Sequence, residues 1–292
     1  MNDKCAVLVT TCDKYDDAWI PFFTLFQKNW PECDYPLYVN TERKTLPIQG
    51  LKLNWLLLSA EGPDEAVSWS KRLKEALERI DCEFILFMLE DFFIQKPVRK
   101  DKIAECIQWM EQEPEIGVIY FYPTENDGNT VNTEFSSVKR ACPWAINGDC
   151  GIWRRSFLIS ILRDENPWEF EVYGTYRWRR TSYQLLAQKK DFDPIIQYVF
   201  DTECGKRTAI IQGKWLPCVP EFLESNDIKI DYQKRGFADL GIYVGEEREK
   251  GWLINDIKES LTSWNALKHY CDCLIKVVRH SLVPIKALLF HR

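Results

Sequence analysis

The residues best placed to do chemistry are two adjacent carboxylates, Glu90 and Asp91, in the stretch EFILFMLEDFFI between Glu83 and Ile94. The apolar run Phe84 to Leu89 in front of them suits a central parallel strand covered on both faces, and it is too short and too acid-tipped to cross a membrane. The acids then stand at the strand's carboxyl end, where open α/β sheets bind ligands because no helix fills the crevice. Such a pair serves a metal ion or a nucleotide sugar; its plainer role is to end the strand and cap the next turn. Two more carboxylates, Glu169 and Glu171, lie in NPWEFEVYG, Asn166 to Gly174. Asn166 and Pro167 read as a helix start in which Glu169 falls at the capping-box position, while Glu171 has no such structural duty.

Other chemistries have little to work with. The three histidines, His269, His280 and His291, all stand near the C-terminus. The eleven cysteines are odd in number and irregularly spaced, no CxxC pair occurs, and the close pair Cys271 and Cys273 has no second pair to complete a zinc site. With an N-terminus, MNDKCAVLVTTC, that lacks a signal-peptide pattern, this points to a reducing cytosol. A net charge of -6 argues against a nucleic-acid partner. The length of 292 residues and 46% hydrophobic content suit one large domain, alone or with an appended element. Twelve tryptophans supply core material and, where exposed, flat platforms for sugars.

The elements that must position the acids alternate. A strand over Ala6 to Val9 runs into the polar turn TTCDKYDD, and a helical stripe extends from Trp19 to Trp30 with Pro21 in its first turn. Strands are expected over 35–40 and 51–58, a helix over 64–80 leading into the acid-tipped strand, a helix over 101–113, and a strand over 117–123. This order gives an α/β domain with a mostly parallel, Rossmann-like sheet flanked by helices. No GxGxxG or GxxxxGK[ST] motif is present, so the phosphate cradles of dinucleotide folds and P-loop kinases are missing. After Pro123 the polar, turn-rich 124–140 reads as a hairpin or a flap over a site. In PWAINGDCGIWRRSFLISIL, Gly148 and Gly151 frame a turn and a helix is expected to begin near Trp153. Arg177, Arg179 and Arg180 form a basic cluster.

Three features in order, VLVTTCDKY, FMLEDFF and a later Gly-Trp stretch followed by PWEFE, resemble bacterial GT-A-type glycosyltransferases that build surface polysaccharides such as capsule and O-antigen. The likeness covers roughly residues 5 to 220. It implies a GT-A-like fold and the transfer of a sugar from a nucleotide-sugar donor to a glycan or polyprenyl-linked acceptor; a single base in PWEFE, well downstream of the donor-site acids, makes inversion the expected outcome. The base and ribose would fall to Thr10, Thr11, Asp13 and Tyr15, the sugar diphosphate to Glu90 and Asp91, and the acceptor hydroxyl to Glu169 or Glu171. A DxD motif has one residue between its acids; here the order is Leu89-Glu90-Asp91-Phe92, so only half is retained. A divalent Mn²⁺ or Mg²⁺ on Asp91 therefore stays open beside countercharge from Lys71, Arg72 or the Arg177 to Arg180 cluster. A nucleotidyltransferase, or a non-catalytic relative that binds glycans or scaffolds an assembly, remains an alternative.

The end of the chain has a different texture. Trp264, Leu267, Cys271, Leu274, Ile275, Val278 and Leu282 share one helical stripe flanked by Lys268, Lys276 and Arg279. A catalytic domain over 1–260 followed by a basic amphipathic tail over 261–292 is expected. The tail either docks on the domain or attaches the protein to the inner face of the cell membrane.

Overall fold

The strand carrying the acids forms as expected, at the centre of a mixed sheet. In a computed structural model, the described residues are 4–58, 67–123, 127–142, 144–200 and 208–239. Along the chain they form β1 (Cys5–Thr10), a 3₁₀ turn (Asp13–Ala18), α1 (Trp19–Asn29), β2 (Leu37–Thr41), β3 (Leu53–Leu57), α2 (Trp69–Arg79) and β4 (Phe84–Leu89). Next come α3 (Lys100–Gln112), β5 (Ile116–Tyr120), β6 (Asp127–Thr130), β7 (Phe135–Val138), β8 (Gly151–Arg154), α4 (Arg155–Ile161), α5 (Pro167–Trp178) and β9 (Gln184–Gln188). A small hairpin, β10 (Ile210–Ile211) and β11 (Lys214–Trp215), and α6 (Val219–Glu224) complete the order. Met1–Ala238 is one compact unit. The expected boundary at 260 and the tail 261–292 lie outside the described residues.

The nine-stranded sheet of the described residues has the order β3-β2-β1-β4-β8-β5-β9-β7-β6. Strands β1 to β4 are mutually parallel, with Thr10 facing Asn40 on one side and Leu89 on the other. β8 runs antiparallel between β4 and β5, and β5 is again parallel to β9. This is the expected α/β architecture with a mostly parallel sheet flanked by helices. The antiparallel strand matters for the site: the residues just before Gly151 arrive at the edge where β1, β2, β4 and β5 end.

Period-two alternation decides which helix covers which face. Ala6, Leu8, Ile85, Phe87, Val118 and Trp153 pack with Leu73 and Leu77 of α2, Phe157 of α4 and Phe170 of α5. Arg154, adjacent to Trp153 and so turned the other way, donates to the carbonyl of Met110 at 2.6 Å and places α3 on the opposite face.

Two expectations change. Trp153 lies within β8, because its neighbours Ile152 and Arg154 pair with both β4 and β5 or bond across them; the helix starts two residues later. Gly151 is what lets this strand fit, since a Cβ there would stand 2.5 Å from the carbonyl oxygen of Ile119. The polar stretch after 123 does form a hairpin, β6–β7, but β7 pairs with β9 and extends the sheet edge. Three strands separate it from β4, so it is no flap over the acids.

Candidate functional site

The carboxyl ends of β1, β2 and β4 place the sequence's candidates at one edge. Asp13, first residue of the turn after β1, accepts at Oδ1 from the Thr41 hydroxyl at 2.8 Å and from the amides of Arg43 and Lys44 at 3.1 and 3.0 Å. Its own amide donates to Glu42 Oε2 at 2.5 Å. Burial alone would raise this carboxyl's pKa, but the two amides and the hydroxyl outweigh it and hold the group below its ordinary value. Asp13 therefore ties the end of β2 to the β1 turn and shapes the floor of the site.

Glu90 is 8% exposed, and burial is the main reason its pKa is raised, with the charge of Asp91 adding to the effect. Thr11, whose hydroxyl accepts from the Trp19 indole at 2.9 Å, offsets this by hydrogen bonding to Glu90. Asp91 is also raised by burial, against a hydrogen bond from Thr208 to its Oδ2 at 2.5 Å and lesser help from the backbone amides of Asp91 and Ile210 and the charge of Arg235. Its Oδ1 is buried without a partner. A buried carboxylate oxygen left unpaired is costly, and a cation or a donor from a ligand would relieve the cost.

Tyr15 stands over the same acids. Burial, then the charge of Glu90, raises its pKa. Its ring lies 4.1 Å beneath the Arg235 guanidinium, which grips Asp17 through Nε at 2.7 Å and Nη2 at 2.5 Å. The β10–β11 turn reaches the same place: Gln212 and Gly213 both have positive φ, as a two-residue hairpin turn requires, and a Cβ on Gly213 would lie 3.9 Å from the Tyr15 hydroxyl. Arg235 and Thr208 were not legible as site residues. Each is remote in sequence, and no local pattern marks a residue that closes on a strand end from 100 positions or more downstream.

Arg72 is buried although it sits on a helix. Its Nη1 donates to the carbonyl of Thr11 at 3.0 Å, and its Nη2 lies 3.3 Å from Glu42 Oε1. The Arg72 Nε, the Thr10 hydroxyl and both amide atoms of Asn40 are buried without partners. Thr10 and Asn40 are register partners on the face covered by α2, so these unsatisfied atoms gather at one corner. Asn40 closes the second strand in the sequence, but only pairing reveals its position beside Thr10.

The two downstream acids separate. Glu169 completes a capping box, accepting the Asn166 amide at Oε2 (3.1 Å) while its own amide donates to Asn166 Oδ1 (2.9 Å). Glu171 turns toward the sheet edge, where its Oε1 accepts the Gly148 amide at 2.9 Å. A Cβ on Gly148 would lie 3.7 Å from that oxygen and 3.9 Å from Leu89 Cδ1, so Glu171 borders the end of β4. Asp149, on the same loop, receives the Tyr198 hydroxyl at 3.5 Å and is another acid at this edge that no sequence pattern marks.

The remaining cations do not join them. Arg177 binds Glu165 with both terminal nitrogens at 2.7 and 2.5 Å, Arg179 donates to carbonyls of 140–142, and Lys71 pairs with Asp164 at 2.9 Å. Among the described residues no three His, Cys, Asp or Glu groups converge to hold a metal ion. Asp91 Oδ1 offers one ligand, which fits a cation that arrives with a diphosphate better than a resident one. No helix of the described residues is long and apolar enough to cross a membrane.

No protein-family model matches the chain, and no curated protein matches it. Similar solved structures include S. aureus TarS 1–349 in complex with UDP, with a TM-score of 0.43 and 15% identity over 63% of this chain and 57% of that one. TarS 1–349 with UDP-GlcNAc gives 0.38 and 16% over 66% and 60%. A cytidylyltransferase from Leptospira borgpetersenii serovar Hardjo-bovis gives 0.40 and 12% over 62% and 74%. The match thus spans less than two thirds of TarS 1–349. These likenesses are distant, and the site's own geometry has to carry the functional reading.

Proposed function

We propose that the chain is a glycosyltransferase that moves a sugar from a nucleotide-diphosphate donor to an acceptor hydroxyl, with inversion. The observation that carries the reading is the unpartnered Oδ1 of Asp91, just past the carboxyl end of β4, an end that Thr11 and Glu171 also border. The turn and the unsatisfied Thr10, Asn40 and Arg72 atoms suit a nucleoside rich in donors and acceptors. Arg72, its terminal nitrogens already held by Thr11 and Glu42, contributes positive potential at this corner to a diphosphate whose negative charge grows as the bond breaks. A bound Mn²⁺ or Mg²⁺ would supply further countercharge through Asp91.

In this reading the acceptor oxygen attacks the anomeric carbon, the bond from that carbon to the diphosphate oxygen breaks, and the hydroxyl proton passes to the Glu171 carboxylate. Glu169 is the less suited base because it serves the cap at the start of α5, whereas Glu171 borders the end of β4. The β1 turn, Thr11 to Asp17, contains no glycine, which weighs against a nucleotidyltransferase phosphate loop.

The acceptor we propose is a lipid-linked glycan of surface polysaccharide assembly at the cytoplasmic leaflet, with the basic tail 261–292 as one attachment. Deleting residues from 263 onward should then release the protein from anionic vesicles while nucleotide binding persists. The reading as a whole is tested by incubating the protein with UDP-, GDP-, CMP- and dTDP-sugars: slow donor hydrolysis with one of them supports it. Release of pyrophosphate from a nucleoside triphosphate would favour a nucleotidyltransferase instead.

A further inference from the structure

Helix α5 carries more than Glu171. On the flank next to that residue, Trp168, Val172 and Tyr176 are spaced by four and are 72%, 38% and 52% exposed. Four-residue spacing aligns them in a stripe about 12 Å long at 1.5 Å per residue. Trp144 is a further exposed aromatic on a loop bonded to this helix, through Ile146 N to Thr175 Oγ1 (3.0 Å) and Gly148 N to Glu171 Oε1 (2.9 Å). Trp144 is 44% exposed and has φ of 47°, a left-handed conformation that bulky residues adopt rarely. The core side of α5 is already filled by Phe170, Gly174, Thr175 and Trp178, so packing within this unit does not account for the exposed aromatics.

The end of this stripe is strongly basic. Arg140 donates to the carbonyls of Trp178 and Tyr183, Arg179 to those of Arg140, Ala141 and Cys142, and Arg180 to that of Tyr176. The Arg179 guanidinium also lies 5.1 Å from the Tyr176 ring centre. With the exposed Lys139, these are four cations that meet no carboxylate among the described residues, on a chain whose net charge is -6. Carbonyl oxygens fix the guanidiniums without neutralising them.

We infer that this face of α5 and the Trp144 loop is a membrane-docking surface for anionic phospholipid. Trp and Tyr suit the headgroup layer because each has an apolar body and a polar tip, Val172 adds aliphatic surface, and the uncompensated arginines meet the phosphates. Docking here brings Glu171 to the bilayer surface. The inference rests on the proposed use of a lipid-linked acceptor only for its purpose. The surface belongs to a different segment of the chain from the tail, and two weak attachments together give stable binding where one gives marginal binding.

The test is flotation of the full-length protein with vesicles of phosphatidylcholine alone or with about a third phosphatidylglycerol. Full-length Trp168→Ser/Tyr176→Ser and Lys139→Glu/Arg180→Glu variants, which alter only exposed side chains, are compared with it. The expected result is flotation of the wild type with the anionic vesicles at low salt, and a severalfold loss in both variants with melting temperature and nucleotide-induced stabilisation unchanged. Wild-type flotation by both variants would assign attachment elsewhere and overturn the inference. So would failure of the wild type to float, or retention of the protein on a soluble polyanion such as heparin without vesicle binding. Nucleotide binding is read separately, so loss of the donor reading and loss of this one are distinguishable.

Discussion

Gly148 donates its amide to Glu171 Oε1 at 2.9 Å, and the same glycine lies against Leu89, the residue before the acidic pair. One loop thereby joins a carboxylate on α5 to the end of β4. Glu171→Gln keeps the oxygen that accepts this bond and removes the capacity to take a proton. Turnover should fall by about 10²-fold or more with donor affinity near normal, because a base acts in the transition state. Single-turnover rates and nucleotide titrations on the same variant check both halves.

Glu169 has a different task, and its variant should behave differently. Glu169→Gln weakens the reciprocal cap with Asn166, and Asn166→Ala removes it, at a cost of about 1 kcal/mol or a few °C in melting temperature. Chemistry should persist in both. Calorimetry beside an activity assay decides whether the cap is all that Glu169 contributes.

The buried acids give a pH signature. Glu90 has a folded pKa raised by burial, so below its unfolded pKa both states are protonated and it contributes no difference. As pH rises through the window between the unfolded and the raised folded value, the unfolded chain releases the proton first and stability falls. Glu90→Gln should therefore raise the melting temperature near pH 8, with the gain vanishing below about pH 4. A gain independent of pH would mean that burial of the charge is not the cause.

Asp13 runs the other way. Its pKa is lowered in the folded state, so its stabilisation is present above the unfolded pKa and lost as pH falls through the folded one. Asp13→Ala should destabilise at neutral pH by leaving the Arg43 and Lys44 amides and the Thr41 hydroxyl unpaired. That deficit should narrow in acid, as thermal melts from pH 7 down to pH 3 would show.

How much the chain disclosed depends on the range of the forces involved. The run Phe84–Leu89 and its acids were legible because a strand buried on both faces needs an unbroken apolar run. Asn166 and Glu169 were legible because a capping box spans four residues. β8 was misjudged because Trp153 and its neighbours are apolar enough for either state, and only pairing with β4 and β5 decides. Asn40 beside Thr10, Thr208 on Asp91 and Arg235 over Tyr15 depend on contacts between distant segments. The arginines at 177–180 are likewise placed by contacts that the sequence does not show, Arg177 by Glu165 and Arg179 by the carbonyls of 140–142.

The central claim is that Asp91 holds the nucleotide-sugar diphosphate through a divalent cation, and thermal stabilisation by a panel of UDP, GDP, CMP and dTDP compounds tests it most directly. With Mn²⁺ or Mg²⁺ present, one nucleotide at about 100 times its dissociation constant should raise the wild-type melting temperature by roughly 5 °C or more. EDTA should reduce the shift if the cation is bound with the diphosphate, and Asp91→Asn should lose most of it while remaining folded. No shift with any nucleotide, or an equal shift in Asp91→Asn, would contradict the claim.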